Sequence, residues 1–282
     1  MVRSIFPSIV IMDDEHSNGP VIDLFLHRFP QYDEDVWKSR FQRELILVFD
    51  TPLKPKDRLS PGTVIQYYRE IEKEPEADTD YEIVFQDEHI LVVDKPRSLP
   101  TTPSGEYINK NLVTILRVDL KLDYLSPIHR LDKDTAGLVQ FAKTREAASR
   151  LVEQVRRQEI DRTYRATVGS WDKGLPFTID QPLIREEKGG NPLLTQVHPD
   201  GRPSTTEVIE AEEIDGRWVL TVRPRTGRQH QIRVHLAHIG HPVLGDPLYG
   251  EPREAGLALC CYQVEFAHPV SGERLKFRSS RN

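Results

Sequence analysis

At 282 residues, with 38% hydrophobic and 29% charged side chains, the chain can bury a sizeable core and suits one large unit with one small one. No apolar stretch approaches the ~20 residues needed to cross a bilayer, and "MVRSIFPSIVIMDDEH" lacks the long apolar core and cleavage site of a secretory signal. No membrane role is therefore expected, and the cytoplasm is the expected location. The net charge of −6 speaks against a polyanion partner only until it is mapped: residues 1–89 hold 10 basic and 19 acidic side chains, the remainder 28 and 25.

Residues 1–19 read as an N-terminal extension. "VIDLFLHRF" then places apolar residues at helical spacing, Val21, Leu24, Phe25 and Phe29, and "DEDVWKSRFQRE" opens with acids that favour a helix N-terminus. "LILVF" predicts a strand, and the turn "SPG" leads into a second strand, "TVIQYYRE". Together they make a small unit over 20–75. The order resembles the small alpha-L RNA-binding domain of ribosomal proteins and RNA-modifying enzymes, with "LSPGT" standing for its "LKPGD"-like element. It departs from that pattern at Glu44, where the domain usually has glycine, and at Asp50-Thr51-Pro52 in place of Asn-Gly. With its acidic balance, the unit suits a structural or docking role as well as RNA binding.

The acidic, aperiodic stretch around residues 76–82 reads as a linker, and 83–282 as the catalytic domain. "IVFQDEHILVVDKP" predicts a hairpin ended by Pro96, and "LVTILRVDL" a helix. "GLVQFAKT" predicts a strand whose Thr144 caps the helix "REAASRLVEQVRR". "TYRATVGSW", "TTEVIEAEEI", "RWVLTVRP" and "ALCCYQVEFAH" predict further strands, with connections too short for helical crossovers. An α+β fold follows, an antiparallel-rich mixed sheet with flanking helices. Cys260 and Cys261 fall on one strand, facing opposite sides, as reduced packing residues.

Chemistry concentrates in four segments. "HRLDKDTAG" carries an aspartate among cations, "DRTYRATVG" a strand tyrosine, and "VVDKP" a lysine at a strand end. The run from Arg217 to His235 has five arginines and no acid, which suits a phosphate-facing cleft and equally a solvated basic face. Over roughly residue 82 to the C-terminus this set resembles the RluA family of RNA pseudouridine synthases. The resemblance implies the pseudouridine synthase fold and an isomerase that turns uridine into pseudouridine in structured RNA, rRNA or tRNA. The reaction has no redox change and no incoming group, so no cofactor is expected, and neither is a metal, DNA or a second subunit.

By the same resemblance, Asp132 is the nucleophile, Tyr164 the aromatic that stacks on an everted uracil, and Arg233 the cation that keeps a sheltered Asp132 ionised. Ile232 packs the other face of the base. Arg130 fills the space the base vacates, Arg228 contacts phosphate, and His129 joins the substrate-binding set. Asp134 suits a turn, and Lys95 and Asp246 suit architecture. His230, His235, His238 and His241 lie close in sequence without HExxH or paired-cysteine spacing, so zinc is not expected. "LDKDTAG" also has a superficial likeness to aspartyl-phosphate phosphatases, but His129 and Arg130 stand where their buried strand would run. The competing reading is a non-catalytic RNA-binding or ribosome-assembly protein on the same fold.

Overall fold

Three short polar side chains decide where helices begin. Asp33, Asn111 and Thr144 each accept a hydrogen bond from the backbone N–H three residues on, those of Val36, Thr114 and Ala147 at 2.9, 3.1 and 3.1 Å. Each satisfies a donor that the first helical turn leaves unpaired, worth about 1 kcal/mol. A computed structural model describes residues 1–188 and 191–281. Residue contacts divide the chain into two units, Met1–Pro75 with Pro103–Asn109, and Glu76–Thr102 with Lys110–Asn282.

The first unit contains β1 (Val2–Arg3), β2 (Ser8–Ile11), α1 (Val21–Arg28), α2 (Glu34–Gln42), β3 (Ile46–Val48), β4 (Thr51–Pro52), β5 (Val64–Tyr67) and β6 (Glu70–Ile71). Residues 1–19 are not an extension: β2 pairs antiparallel with β5 inside the sheet β2-β5-β3-β4, and β1 pairs with β6. The core is aromatic. Trp37 of α2 and Phe25 of α1 are fully buried with ring centroids 4.7 Å apart. Glu44, where the alpha-L pattern has glycine, holds the left-handed conformation at φ 55°, and Phe49 and Asp50 do the same at 46° and 62°. The turns persist although the residues that ease them are missing. The segment 103–109 is tied in by Asn109, whose side chain accepts from the Ile5 N–H at 2.8 Å and donates to the Arg3 carbonyl at 2.9 Å.

The second unit contains β7 (Glu82–Gln86), β8 (Ile90–Lys95), α3 (Leu112–Asp119), β9 (Ser126–Pro127), β10 (Ala136–Ala142), α4 (Arg145–Arg156), β11 (Asp161–Val168) and β12 (Phe177–Asp180). It continues with β13 (Leu183–Lys188), β14 (Asn191–Val197), β15 (Thr205–Ile214), β16 (Arg217–Pro224), α5 (Gln231–His238), β17 (Leu259–Ala267) and β18 (Arg274–Arg278). The main sheet runs β12-β15-β16-β11-β17-β10-β8-β7, with β18 on β17 and β9 on β10. Its described pairs are antiparallel except β10 with β17. It is the α+β, antiparallel-rich mixed sheet that the sequence predicts. Every residue of β8 and of β10 is buried, and α3 and α4 add Leu112, Leu116, Ala147 and Leu151 to the same core.

Two local features aim this sheet at one place. Gly137 of β10 lies opposite Cys261 of β17 at φ 108°, and a Cβ there would stand 2.4 Å from the Cys261 carbonyl oxygen. Only glycine lets the strands approach so closely. On the other side of Cys261 stands Tyr164 of β11, immediately after a register shift between Thr163 and Tyr164. A bulge re-aims the side chain that follows it. Cys260 and Cys261 are both buried and free.

Candidate active site

Asp132 lies in the connection from β9 to β10, on a tight turn closed by the Thr135 N–H donating to the Asp132 carbonyl at 3.2 Å. Both neighbours are pinned. The Thr101 hydroxyl donates to the Leu131 carbonyl at 2.8 Å and accepts from the Leu131 N–H at 3.1 Å. The Lys133 carbonyl accepts from the Leu99 N–H and from Lys95 Nζ, each at 3.1 Å. Lys95 Nζ also donates to the carbonyls of Pro96 and Leu99 at 2.9 and 2.8 Å, so a buried ammonium knots the turn from below. Burial pushes its pKa down to about 7, against the pull of Asp134 and Asp132.

Arg233, in the first turn of α5, is 3% exposed and meets two carboxylates. Its Nε and Nη2 donate to Asp246 Oδ2 and Oδ1, each at 2.7 Å, while Nη1 reaches Asp132 Oδ2 at 3.3 Å. The bidentate partner is therefore Asp246, and Asp132 takes the remaining nitrogen. Burial works against the guanidinium's charge, but the two aspartates outweigh it and raise its pKa. Asp246 is buried completely; burial alone would raise its pKa, and the Arg233 hydrogen bonds bring it below the ordinary value. Asp132 is more open, with 29% of its side chain exposed. Among the described residues its Oδ1 has no polar partner.

Beside Arg233 stand Gln231, which sequence reasoning passes over, and His230, which it weighs only as a metal ligand. Gln231 is buried and staples the loop before α5: its Oε1 accepts from the Thr226 hydroxyl at 2.7 Å and the Arg228 N–H at 3.1 Å. Its Nε2 donates to the Thr205 carbonyl at 2.9 Å and the Thr206 hydroxyl at 3.0 Å. His230 precedes the helix in the left-handed conformation, φ 54°, with Nε2 3.7 Å from Asp132 Oδ2. The signal for both is the string "HQIR", His230 to Arg233, in which the family resemblance assigns roles to Ile232 and Arg233 alone.

The other predicted residues divide. Tyr164 is 9% exposed, and burial first, then Cys261, holds its pKa well above the ordinary value, with Asp132 adding to the push. Ile232 is buried beside Arg233, and Arg130 is exposed in front of Asp132. His129 is tied to β10. Its Nε2 accepts from the Gln140 N–H of β10 at 3.4 Å, and burial, then Arg162, holds its pKa well below the ordinary value. Arg228 gives Nε and Nη2 to the Pro203 carbonyl at 3.4 and 3.3 Å, and Arg225 pairs with Glu207 at 2.8 Å, so the arginine run is partly spent within the protein. The four histidines do not converge: His235 bonds Thr206 and the Gln181 carbonyl, His241 bonds the Ser170 carbonyl and Asp172, and His238 is exposed. Among the described residues no group of three or more metal-ligating side chains gathers.

Residues 89–238 match the family model described as RNA pseudouridylate synthase, which covers more than half of the chain. The chain belongs to that family. The synthase is 35% identical to ribosomal large subunit pseudouridine synthase D of Escherichia coli O6:H1, over 94% of this chain and 88% of the relative. It is 32% identical to the same-named protein of Haemophilus influenzae, over 88% and 83%. Human RNA pseudouridylate synthase domain containing 1 has a similar solved structure, with a TM-score of 0.59 and 25% identity, covering 73% of this chain and 86% of that one. The synthase is accordingly an isomerase acting on RNA, with the pseudouridine synthase fold. No helix among its described residues is long and apolar enough to cross a membrane.

Proposed function

We propose that this synthase converts a specific uridine of large-subunit ribosomal RNA into pseudouridine, with Asp132 as nucleophile acting on a base turned out of its stack. The observation that carries the reading is the state of Asp132: a partly exposed carboxylate with one oxygen against a buried guanidinium and the other, among the described residues, without a polar partner. Such a group can add to carbon and leave again. The similarity to proteins named for the large ribosomal subunit supports that RNA over tRNA.

The chemistry breaks the bond from C1′ to N1, turns the base, and forms the bond from C1′ to C5. The C5 proton is lost and N1 gains one, so the product is an isomer. Asp132 holds one fragment while the base turns. Arg233 supplies its counter-charge, and its own orientation is fixed by Asp246. Tyr164 and Ile232 form the two walls against which a flat base rests, and eversion exposes atoms that a stacked base hides. Exposed Arg130 is placed to fill the vacated stack, since a planar guanidinium stacks well.

Two measurements test this. RNA carrying tritium at C5 of uridine should release label with the wild type and none with Asp132→Asn, while RNA binding persists. Mapping pseudouridine in cells with and without the protein should show the loss of a site in large-subunit rRNA. Loss confined to tRNA would overturn the substrate, and no loss anywhere would favour a non-catalytic RNA-binding role.

A further inference from the structure

His230 stands beside Asp132 with no task in the reaction above, and its two ring nitrogens face different partners, Nδ1 the Tyr249 hydroxyl and Nε2 Asp132. The Thr195 N–H of β14 can only donate, so at 3.2 Å the Tyr249 hydroxyl oxygen must accept from it. The single phenolic proton is then free for His230 Nδ1, 2.9 Å away. An imidazole that accepts at Nδ1 carries its proton on Nε2, the nitrogen facing Asp132 Oδ2 at 3.7 Å. Holding the ring there costs backbone strain. His230 is a non-glycine residue at φ 54°, a conformation disfavoured by about 1–2 kcal/mol, and it gives α5 no side-chain cap in return. Strain of this kind persists where the surroundings over-determine it.

Arg233 Nη1 at 3.3 Å and His230 Nε2 at 3.7 Å, the latter longer than a hydrogen bond, face the same oxygen of Asp132, Oδ2. We propose that His230, held by Tyr249 as the neutral Nε2–H tautomer, is a positioning residue that joins Arg233 in occupying Oδ2, so that Oδ1 alone meets the reacting carbon. The proposal rests on Asp132 being the nucleophile.

The groups facing the imidazole come from every element around it. Arg233 lies on α5, Asp132 on the connection before β10, Arg185 on β13, the Thr195 amide on β14, and Asp246 and Tyr249 on the segment after α5. Burial lowers its pKa most, Arg233 and Arg185 lower it further, and Asp132 and Asp246 pull it back up; the net is below the ordinary value. The ring is therefore neutral at pH 7. A protonated ring would put a second full positive charge on Oδ2, and a charge-assisted bond draws density from the carboxylate and blunts it as a nucleophile. An acid limb in kcat follows.

The test combines a proton readout with kinetics on the full chain. In ¹⁵N-histidine-labelled protein, with His230 assigned by its loss in His230→Gln, the ring should be the Nε2–H tautomer at pH 7. Tyr249→Phe frees Nδ1 to take a proton, so the titration midpoint of His230 should rise, and the acid limb of kcat should move to higher pH with it. His230→Gln should lose that limb and lower kcat by roughly 10²-fold, the scale expected for a misplaced reacting group, with KM for RNA unchanged. An Nδ1–H tautomer, a midpoint unmoved by Tyr249→Phe, or wild-type kcat in His230→Gln would overturn the proposal. Turnover persisting in Asp132→Asn would overturn the nucleophile reading beneath it, an outcome the spectra alone do not produce.

Discussion

Arg233 grips Asp246 with two guanidinium nitrogens at 2.7 Å each, leaving a single nitrogen to reach Asp132 at 3.3 Å. Planar, bidentate pairing fixes the guanidinium as a lysine could not be fixed. Asp246 also accepts from the Leu248 and Tyr249 N–H groups at 2.9 and 3.2 Å, which anchors the carboxylate itself. The residue with no exposure thus orients the one that faces Asp132.

Removing Asp246 leaves Arg233 buried and without its main partner. Stability should fall by about 3–5 kcal/mol for Asp246→Ala, the usual cost of breaking a buried pair from one side. Tritium release from the remaining folded protein should fall by about 10²-fold or more. Arg233→Lys should resemble it in turnover, since a lysine cannot span both carboxylates. Urea unfolding and tritium release measure the two effects; a stable Asp246→Ala with normal turnover would refute the anchoring role.

Tyr164 is protonated at every pH at which RNA is handled, because burial, Cys261 and Asp132 all push its pKa upward. The sign matters for kinetics: a raised phenol pKa places loss of its proton above about 10, so no basic limb should arise from it at lower pH. Tyr164→Phe should retain the shape of the pH–rate profile and the stacking wall. Tyr164→Ala removes the proposed wall, worth about 1–3 kcal/mol per base, and should lose turnover in proportion. A basic limb below pH 9 that disappears in Tyr164→Phe would contradict this.

Helices and strands with a clean apolar period were legible in the sequence, and so were the caps Thr144 and the acid-led α2. What escaped is explained by burial and distance. In α5 all six residues from Gln231 to Leu236 are buried, three of them polar, so no apolar stripe marks it as a helix. Strand β2 pairs with β5 more than fifty residues away, and nothing local announces that partner. At the site, the motifs named Asp132, Tyr164 and Arg233. They could not show that Asp246 holds Arg233, that His129 meets the Gln140 N–H, or that His230 Nε2 lies 3.7 Å from Asp132, because each depends on contacts between distant segments.

Lys95 ties the Asp132 turn from beneath, and its pKa of about 7 makes stability pH-dependent. The unfolded lysine titrates near about 10.4, so between 7 and 10 the unfolded chain binds the proton more tightly than the folded one. Stability contributed by this residue therefore rises with pH across that window and reaches its minimum below it. The difference in urea stability between wild type and Lys95→Met should shift in favour of the wild type from pH 7 to pH 9.5. A difference that stays flat would mean that the three carbonyls hold the ammonium without penalty.

The close approach of β10 to β17 makes Gly137 the most sensitive backbone position near the site. A Cβ there would meet the Cys261 oxygen at 2.4 Å and nitrogen at 2.5 Å, so alanine can be admitted only by moving one strand. Strand β10 carries the Asp132 turn at its start, and β17 carries Cys261 against Tyr164, so the displacement separates the two groups that would hold the base. Gly137→Ala should cost at least about 3 kcal/mol and lower turnover by more than about tenfold even at a temperature where it stays folded. Gly216 is the control. It also has positive φ, 69°, but nothing lies within 4 Å of its Cβ position, so Gly216→Ala should cost only the conformational strain of about 1–2 kcal/mol and leave turnover intact. Equal losses in the two variants would show that strain alone, and not the closeness of β10 to β17, governs the site.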